Sequence, residues 1–573
     1  MIQIPTGEKE LVPFANDLIE TCRISQSVRA AYYRILNTVA ETGTVTGQKA
    51  LINTMNYHLE RTASHLFSPT DLKFACDFDN AYKSDVIKRG EVFAKHLTRQ
   101  WEHSSTDMLF GQGVYEALKY GLVALKQWPR NEGPEDKPRI VYEKKVVMPW
   151  NLGFYKESET DIANQEVICE TSQLTGPEVW QRIWRFPKAK ELYEKIMTHS
   201  RKNTGGSGPD SFFHSVLSSS VLQTGTQTST RPLPGGVVQI GNDPNYPMMG
   251  PTDGAPTVEM HELWIKGEED YATVQIISPD ILVTRFKTSN LMGIERVQPY
   301  RIIQPNPMTG YIWGRSELID LIEPQAFLAQ MCDDLKRLIG LQIDKIIAFK
   351  GDNTITDEGY AQFRQSGYLN MGMNGGAEDL TPKFPPELLK IIEWLIQQVN
   401  TLGSFPEIMQ GKGESGVRAG AHAETLMKTA SPTLRDRALL IERQCAVCAD
   451  LTATMMEAKE DRKYWVDPEK MEDNFMISDL PEDWRITVDS HRSSPIFVDD
   501  AQQLIFALGK MGVVDGLYLI DNSSVPDKEA AKAAFIEHKK SGQAMQEKLF
   551  AQLSPEGKDK AIEKMLGGHG QHH

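Results

Sequence analysis

Cysteine is scarce in this chain: 573 residues contain six, at positions 22, 76, 169, 332, 445 and 448, without the close, even spacing of a disulfide framework. That argues against a small secreted cross-linked scaffold and for assembly in a reducing compartment. Long apolar runs are missing too. No window approaches the ~20 residues that a membrane helix needs, so a soluble chain is expected. The first residues, Met1-Ile-Gln-Ile-Pro-Thr-Gly-Glu8, have neither a basic nor an apolar segment, and no signal peptide is expected. Positive charge is in deficit as well. With 62 Lys and Arg against 77 Asp and Glu, the net charge is −15, the wrong sign for a protein that grips nucleic acid by neutralising phosphates.

Catalytic signatures are equally thin. Gly411-Lys-Gly-Glu-Ser-Gly416 lacks the order of a Walker phosphate loop and follows a helical pattern rather than a strand. His261-Glu-Leu-Trp-Ile265 has no second histidine one turn on, which a zinc-protease helix requires. Cys445-Ala-Val-Cys448 has redox or zinc spacing, but it sits in a helical pattern with no second pair and reads as two small apolar residues on a core face. His569, His572 and His573 read as a solvated tail, and Asp499-Asp500 as acids at a helix start. The residues therefore point to no catalytic group, no metal and no cofactor, and a non-enzyme is expected.

The chain is long enough for two or more domains. Residues 14–66 read as helices, with an apolar stripe at Ala31, Tyr32, Ile35, Leu36 and Val39, and Glu91–Gly121 continues the helical character. Strand patterns follow at Leu122–Leu125, Ile140–Tyr142 and Val146–Met148, and again over Val258–Arg285; the two regions are expected to share one sheet. Between them lie a predicted helix over Gly176–Thr198 and a polar Gly/Ser/Thr/Pro-rich tract from Asn203 to Pro256 that reads as a long loop. After Ser431, the expected N-cap, a long helix is predicted to about Lys463, then a strand at Trp484–Ser490 and a helical C-terminal part.

The most ordered pattern runs from Ser316 to Leu426. A helix is predicted from Pro324 to Phe349, with Leu328, Met331, Leu335, Leu338, Ile339, Ile343, Ile346 and Ile347 at helical spacing, roughly 40 Å long. A second follows Pro385-Pro386, with Leu388, Ile392, Leu395, Val399 and Leu402 in step and Gly403 as its stop. The insert between them, Gly351–Lys383, mixes Tyr360, Phe363, Tyr368, Leu369 and two methionines with glycines and acids, a composition for short strands and turns. A glycine-rich loop with Lys412, Arg418 and His422 comes next, and its glycines favour mobility.

These segments, in this order, resemble a tailed-bacteriophage portal protein, the head-to-tail connector of the capsid. The run Gly310-Tyr-Ile-Trp-Gly-Arg-Ser-Glu-Leu-Ile-Asp-Leu-Ile-Glu-Pro-Gln325 is similar to the glycine-serine lead-in to the first stem helix of portals. Leu51–Pro69, ending Leu-Phe-Ser-Pro, is similar to an early helix of that family, and Phe405-Pro-Glu-Ile-Met409 stands where portals often turn after the second stem helix. Residues 200–256 match no part of the pattern.

The resemblance implies an α+β portal-type fold. Its parts are a mixed helical and β wing (1–315), a first stem helix (316–350), a small α/β clip (351–385) and a second stem helix (386–408). A tunnel loop (409–425), a long wing helix with a returning strand (426–493) and a helical crown and tail (494–573) complete it. The family closes into a ring of about twelve copies through head-to-tail contacts. It passes double-stranded DNA without reading its sequence, and binds the terminase large subunit, a tail adaptor, and capsid or scaffolding protein. It is a virion component at one capsid vertex, assembled in the host cytoplasm. On this reading Leu335, Leu338, Ile346 and Leu395 belong to the stem ring interface, Tyr360, Phe363 and Tyr368 to clip docking, and Lys412, Arg418 and His422 to the tunnel loop. A net negative charge suits a conduit past which DNA must slide. The alternative is a soluble enzyme or adaptor that uses the helical hairpin as a binding insert.

Overall fold

The computed structural model describes residues 2–46, 49–69, 72–80, 82–132, 139–184, 186–204, 257–277, 281–343, 347–350, 358, 376–402, 432–460, 462–466 and 474–488, with isolated positions 516, 519, 520, 534 and 535. The chain divides into two units, Met1–Ser494 and Pro495–His573. In the second, Gly516 lies so close to the ring of Phe535 that an added Cβ would strike it. All that follows concerns the first, a mixed α+β unit.

Three helices lead, α1 (Glu8–Cys22), α2 (Gln26–Thr42) and α3 (Met55–Leu66), then strand β1 (Phe74–Phe78) and helices α4 (Ser84–His103) and α5 (Thr106–Tyr120). Strands β2 (Val123–Glu132), β3 (Arg139–Val147), β4 (Leu152–Phe154) and β5 (Val167–Thr175) precede α6 (Gly176–Ile183) and α7 (Ala189–Thr204). Next are β6 (Thr257–Lys266), β7 (Tyr271–Ile277), β8 (Ile281–Lys287), the short α8 (Thr288–Met292) and β9 (Tyr300–Ile303). Then come α9 (Ile322–Ile343), β10 (Ile347–Lys350), β11 (Gly376–Asp379), α10 (Glu387–Leu402), α11 (Pro432–Lys459), and strands β12 (Tyr464–Trp465), β13 (Asn474–Phe475) and β14 (Trp484–Val488).

Local chemistry accounts for several boundaries. Gly43, in the left-handed region at φ +80°, closes α2 by donating to the Val39 carbonyl. Thr175 and Glu178 form a capping box that starts α6, with Pro177 in its first turn. The single helix expected over 176–198 is two helices, because Pro187 has no N–H to donate and disfavours a helical Phe186 before it. The predicted strands 140–142 and 146–148 are one strand, β3, in register with β2 from Ala124↔Val147 to Glu132↔Arg139.

The expectation of one shared sheet is overturned. One antiparallel sheet has the order β3-β2-β9, and a second runs β4-β5-β6-β7-β8. β9 occupies the free edge of β2, and β5, which the sequence pattern missed, pairs with β6. The two sheets face each other across Leu122, Ala124, Phe154, Ile168, Trp264 and Tyr300. α1 covers the other face of the five-stranded sheet through Leu11, Ala15, Leu18 and Cys22, and α6 and α7 pack on Val258, Met260, Ile277 and Ile281. On the three-stranded sheet, β2 alternates. Ala124 and Lys126 point to the other sheet, while Val123 lies against α5 and Gln127 donates to the Cys448 carbonyl of α11 at 2.9 Å.

A buried charge cluster sits between the sheets. Lys126 Nζ donates to Glu170 Oε2 and Glu262 Oε1, both at 2.6 Å. Tyr300 donates to Glu170 at 2.7 Å, and Trp264 Nε1 and Gln275 Nε2 donate to Glu262 at 2.7 and 2.8 Å. Burial alone pushes the Glu170 carboxyl up, but Lys126 and Lys145 outweigh it and hold it below the usual carboxylate range; the same two carboxylates raise Lys126 against its own burial. A depressed carboxyl stabilises the fold above its unfolded value, and that stabilisation is lost as pH falls through the folded value. Removing the lysine leaves the two buried carboxylates only the more distant cations Lys145, 3.5 Å from Glu170, and Arg182, 3.9 Å from Glu262, so Lys126→Met is expected to cost about 3–5 kcal/mol at pH 7. Urea titrations at pH 7 and pH 5 check this: the deficit should shrink at pH 5, where Glu170, no longer held down by Lys126, takes up a proton more readily, and an equal deficit at both pH values would contradict the account.

Candidate functional site: the base and outer face of the helical hairpin

The lead-in 310–325 is among the most heavily bonded segments of the unit. It begins where the chain leaves α5: Gly121 and Gly314 adopt φ +99° and +68°, and they cross so closely that a Cβ on Gly314 would stand 2.6 Å from the Gly121 carbonyl oxygen. Only glycine fits both requirements at such a crossing. The segment then satisfies the open end of α5. Ser316 Oγ donates to the Lys119 carbonyl at 2.6 Å and Glu317 N to that of Leu118 at 2.9 Å, covering carbonyls that a helix end leaves unpaired.

Side chains extend this anchoring to three other parts of the unit. Trp313 is buried between Phe154, 4.9 Å away by ring centroids, and the Arg29 guanidinium of α2, 3.3 Å from its ring; its Nε1 donates to Glu157 at 2.8 Å. Glu317 accepts from Arg437 of α11 at 2.8 Å and from Asn306 at 2.9 Å, with His58 of α3 at 3.5 Å. Burial opposes its charge, but His58 and Arg437 prevail and hold the carboxyl down to about 2. Gln325, fully buried at the start of α9, donates to the Ile52 carbonyl at 2.7 Å and accepts from the Thr54 hydroxyl at 2.6 Å.

From this base α9 and α10 run as an antiparallel pair, with Gln342 near the end of α9 donating to the Pro382 carbonyl just before α10. Leu328 and Cys332 meet Ile392 and Leu395 inside the pair, and Leu335, Leu388 and Ile396 pack against them. The first stem helix was expected to reach Phe349. It ends at Ile343, and Ile347–Lys350 pairs instead with Gly376–Asp379, in register from Ile347↔Asp379 to Lys350↔Gly376. The physical reason is that α10 begins only at Glu387, so past Leu335 α9 has no helix among the described residues to pack on, whereas the β-branched and aromatic run Ile347-Ala-Phe349 suits a ladder.

Of the expected interface residues, Leu395 is buried within the pair, Leu335 and Leu338 are half-buried, and Ile346 lies outside the described residues. So do Tyr360, Phe363 and Tyr368, and the loop residues Lys412, Arg418 and His422. The apolar side chains left uncovered are others: Phe327, Ile339 and Ile343 on α9, and Leu389, Ile391, Trp394 and Leu402 on α10, with Ile343 75% and Trp394 54% exposed. The sequence carried a signal for them in Ile391 and Trp394, one turn apart and offset from the inward stripe.

Elsewhere the sequence candidates fall into structural roles. Cys445 and Cys448 are both buried in α11, and burial drives both thiols up, Cys448 to about 12. His261 lies on β6 beside Thr171 Oγ1 at 3.0 Å, and burial lowers it to about 4. Asp270, in the groove beside β8, accepts from three backbone N–H groups, those of Tyr271, Ser289 and Arg296, at 2.8–2.9 Å, which fixes a turn. Among the described residues no cluster of His, Cys, Asp or Glu is placed to hold a metal, and no helix is long and apolar enough to cross a membrane. The Gly411–Gly416 loop, Asp499-Asp500 and the terminal histidines lie outside the described residues. No protein-family model matches the chain, and neither does any curated protein sequence.

Two changes test the base. Gly314→Ala should destabilise the unit by about 2 kcal/mol or more, since the new Cβ meets backbone and the left-handed φ is strained; a melting temperature unchanged within a degree would contradict the crossing. Glu317 contributes stability above about pH 4.5 that is lost as pH falls toward its folded value. Glu317→Gln should therefore cost about 1–3 kcal/mol at pH 7 and flatten that acid limb, which denaturant midpoints from pH 7 to pH 3 would reveal.

Proposed function

We propose that this chain is a portal protein of the tailed-bacteriophage type, a non-enzymatic ring at one capsid vertex through which double-stranded DNA is packaged, retained and released. The observation that carries the reading is the hairpin: two long helices split by a β ribbon, rooted in a densely bonded glycine-serine base, with apolar side chains on its outside that the other described residues do not cover. An uncovered face of this kind on a helical pair marks a protein contact. Because the exposed residues divide between α9 and α10, the face of one helix has a different face to meet on the next copy, which is the head-to-tail geometry of a closed ring.

In this reading about twelve copies form the stem, with the wing outside it. The ribbon β10–β11 and residues 351–385 form the clip, where Tyr360, Phe363 and Tyr368 meet the terminase large subunit and later the tail adaptor. Capsid or scaffolding protein holds the ring at the vertex, and assembly takes place in the host cytoplasm. The loop with Lys412, Arg418 and His422 touches passing phosphates, contacts that salt screens enough for DNA to slide. The DNA-translocating energy comes from terminase.

Mass measurement of the purified protein and end-on electron micrographs test the ring: the proposal requires a many-fold multiple of 64.5 kDa with a central hole, and a monomer or dimer at micromolar concentration would sink it. Trp394→Asp should leave the subunit folded, since the side chain is half in solvent, but weaken each contact by about 2–4 kcal/mol and shift the mass toward monomer. Leu395→Asp should instead disrupt the hairpin itself. For the loop, Lys412→Glu with Arg418→Glu should leave rings intact and shorten the packaged DNA or loosen its retention; heads filled and held like the parent's would remove the loop from the proposal.

A further inference from the structure

β3 carries a half-buried lysine, Lys144, whose amine is enclosed and whose situation is the reverse of Lys126. Lys144 stands opposite Gln127 in the β2–β3 register, on the side of the sheet that faces the helices. Gln127 uses both ends of its amide there, donating to the Cys448 carbonyl at 2.9 Å and accepting from Thr452 at 2.6 Å. The Lys144 amine is buried with no hydrogen-bond partner, and no carboxylate among the described residues lies within ion-pair distance. It rests 5.0 Å from the centre of the Trp101 ring of α4, a side chain wholly buried and with its own Nε1 unpaired.

Among the described residues the surroundings supply no anion to compensate a charge. From α11 the nearest titratable group is the Cys448 thiol, kept neutral by burial; beyond it lie Arg301 of β9, itself a cation, and Asp450 of α11, which faces Arg301 and whose carboxyl burial raises. β2 presents the neutral Gln127 amide, α4 the indole, and α5 the Phe110 ring on the indole's flank, 6.4 Å between centroids. An indole face attracts a cation only weakly, by less than the cost of burying an unpaired ammonium.

We propose that the crossing of α4, β3 and α11 is a pH-sensitive joint, closed when the Lys144 amine is neutral and loosened when it takes a proton. The element set free is α4, and with it β1, which packs along α4 and pairs with β14, the last described strand of the unit. Burial pushes the amine down to about 7 from 10.5 in the unfolded chain. A folded value below the unfolded one means that below about pH 7 both states hold the proton and stability does not change with pH through this group. From there to about 10.5 the opened or unfolded state binds more protons, so the joint tightens as pH rises, by at most about tenfold in its opening equilibrium per pH unit.

Hydrogen exchange of the full-length protein between pH 6 and pH 9, corrected for the intrinsic rate, reads this out in peptides covering residues 93–103. Protection in the parent should be flat below about pH 7 and then rise up to about tenfold per unit. Lys144→Met should show high protection without the slope; Lys144→Gln serves if the methionine variant does not fold. Parent protection that is flat across the range, or the same slope in the variant, would overturn the proposal.

Discussion

Where the chain turns out of α5 at Gly121 it passes so close to Trp313 and Gly314 that neither glycine has room for a Cβ. Much of the unit is arranged around that crossing. It lets Ser316 and Glu317 reach the α5 carbonyls, which sets Trp313 against α2 and Glu317 against α3 and α11, and so fixes where α9 begins. A helical hairpin that must bear load or meet neighbours at a defined angle needs such a root, because a flexible attachment would leave its outer face without a fixed direction. The bonds here are drawn from segments more than a hundred residues apart, so the hairpin's direction depends on the folding of the whole unit.

Two of the three lysines of the three-stranded sheet, those with buried amines, show how charge is managed within it. Lys126 faces the second sheet and is matched by two carboxylates that are themselves bonded by Tyr300, Trp264 and Gln275. Such a cluster gives the two sheets a unique register at modest net stabilisation, since desolvation offsets much of the Coulomb attraction. Lys144 faces the helices and is matched by none among the described residues. The same residue type thus acts as a fastening on one side of the sheet and as a titrating group on the other.

What could be read from the residues follows the range of the forces involved. The hairpin helices were legible because periodicity is local: the second starts at Glu387 as its apolar spacing predicts, and the first departs only at its far end, where no partner helix stands among the described residues. β5 was not legible. Glu170, Thr171, Ser172 and Gln173 look like loop residues until Lys126, Tyr300 and His261 arrive from distant strands to satisfy Glu170 and Thr171. The base was visible only as a likeness, since its physical reason, Gly121, lies nearly two hundred residues upstream. Among contact residues, the regular stripe pointed to Leu395, which the chain uses internally, while Trp394 beside it is the one left in solvent.

The central claim is that the outer face of α10 is covered by the next copy of the same chain. A photo-crosslinking amino acid placed at position 394 tests it most directly, in the purified assembled protein. The account predicts a ladder of covalent multimers extending to a closed ring, with the adducts mapping to α9 or α10 of a neighbouring copy. Adducts confined to the same chain, or none above the monomer, would contradict it.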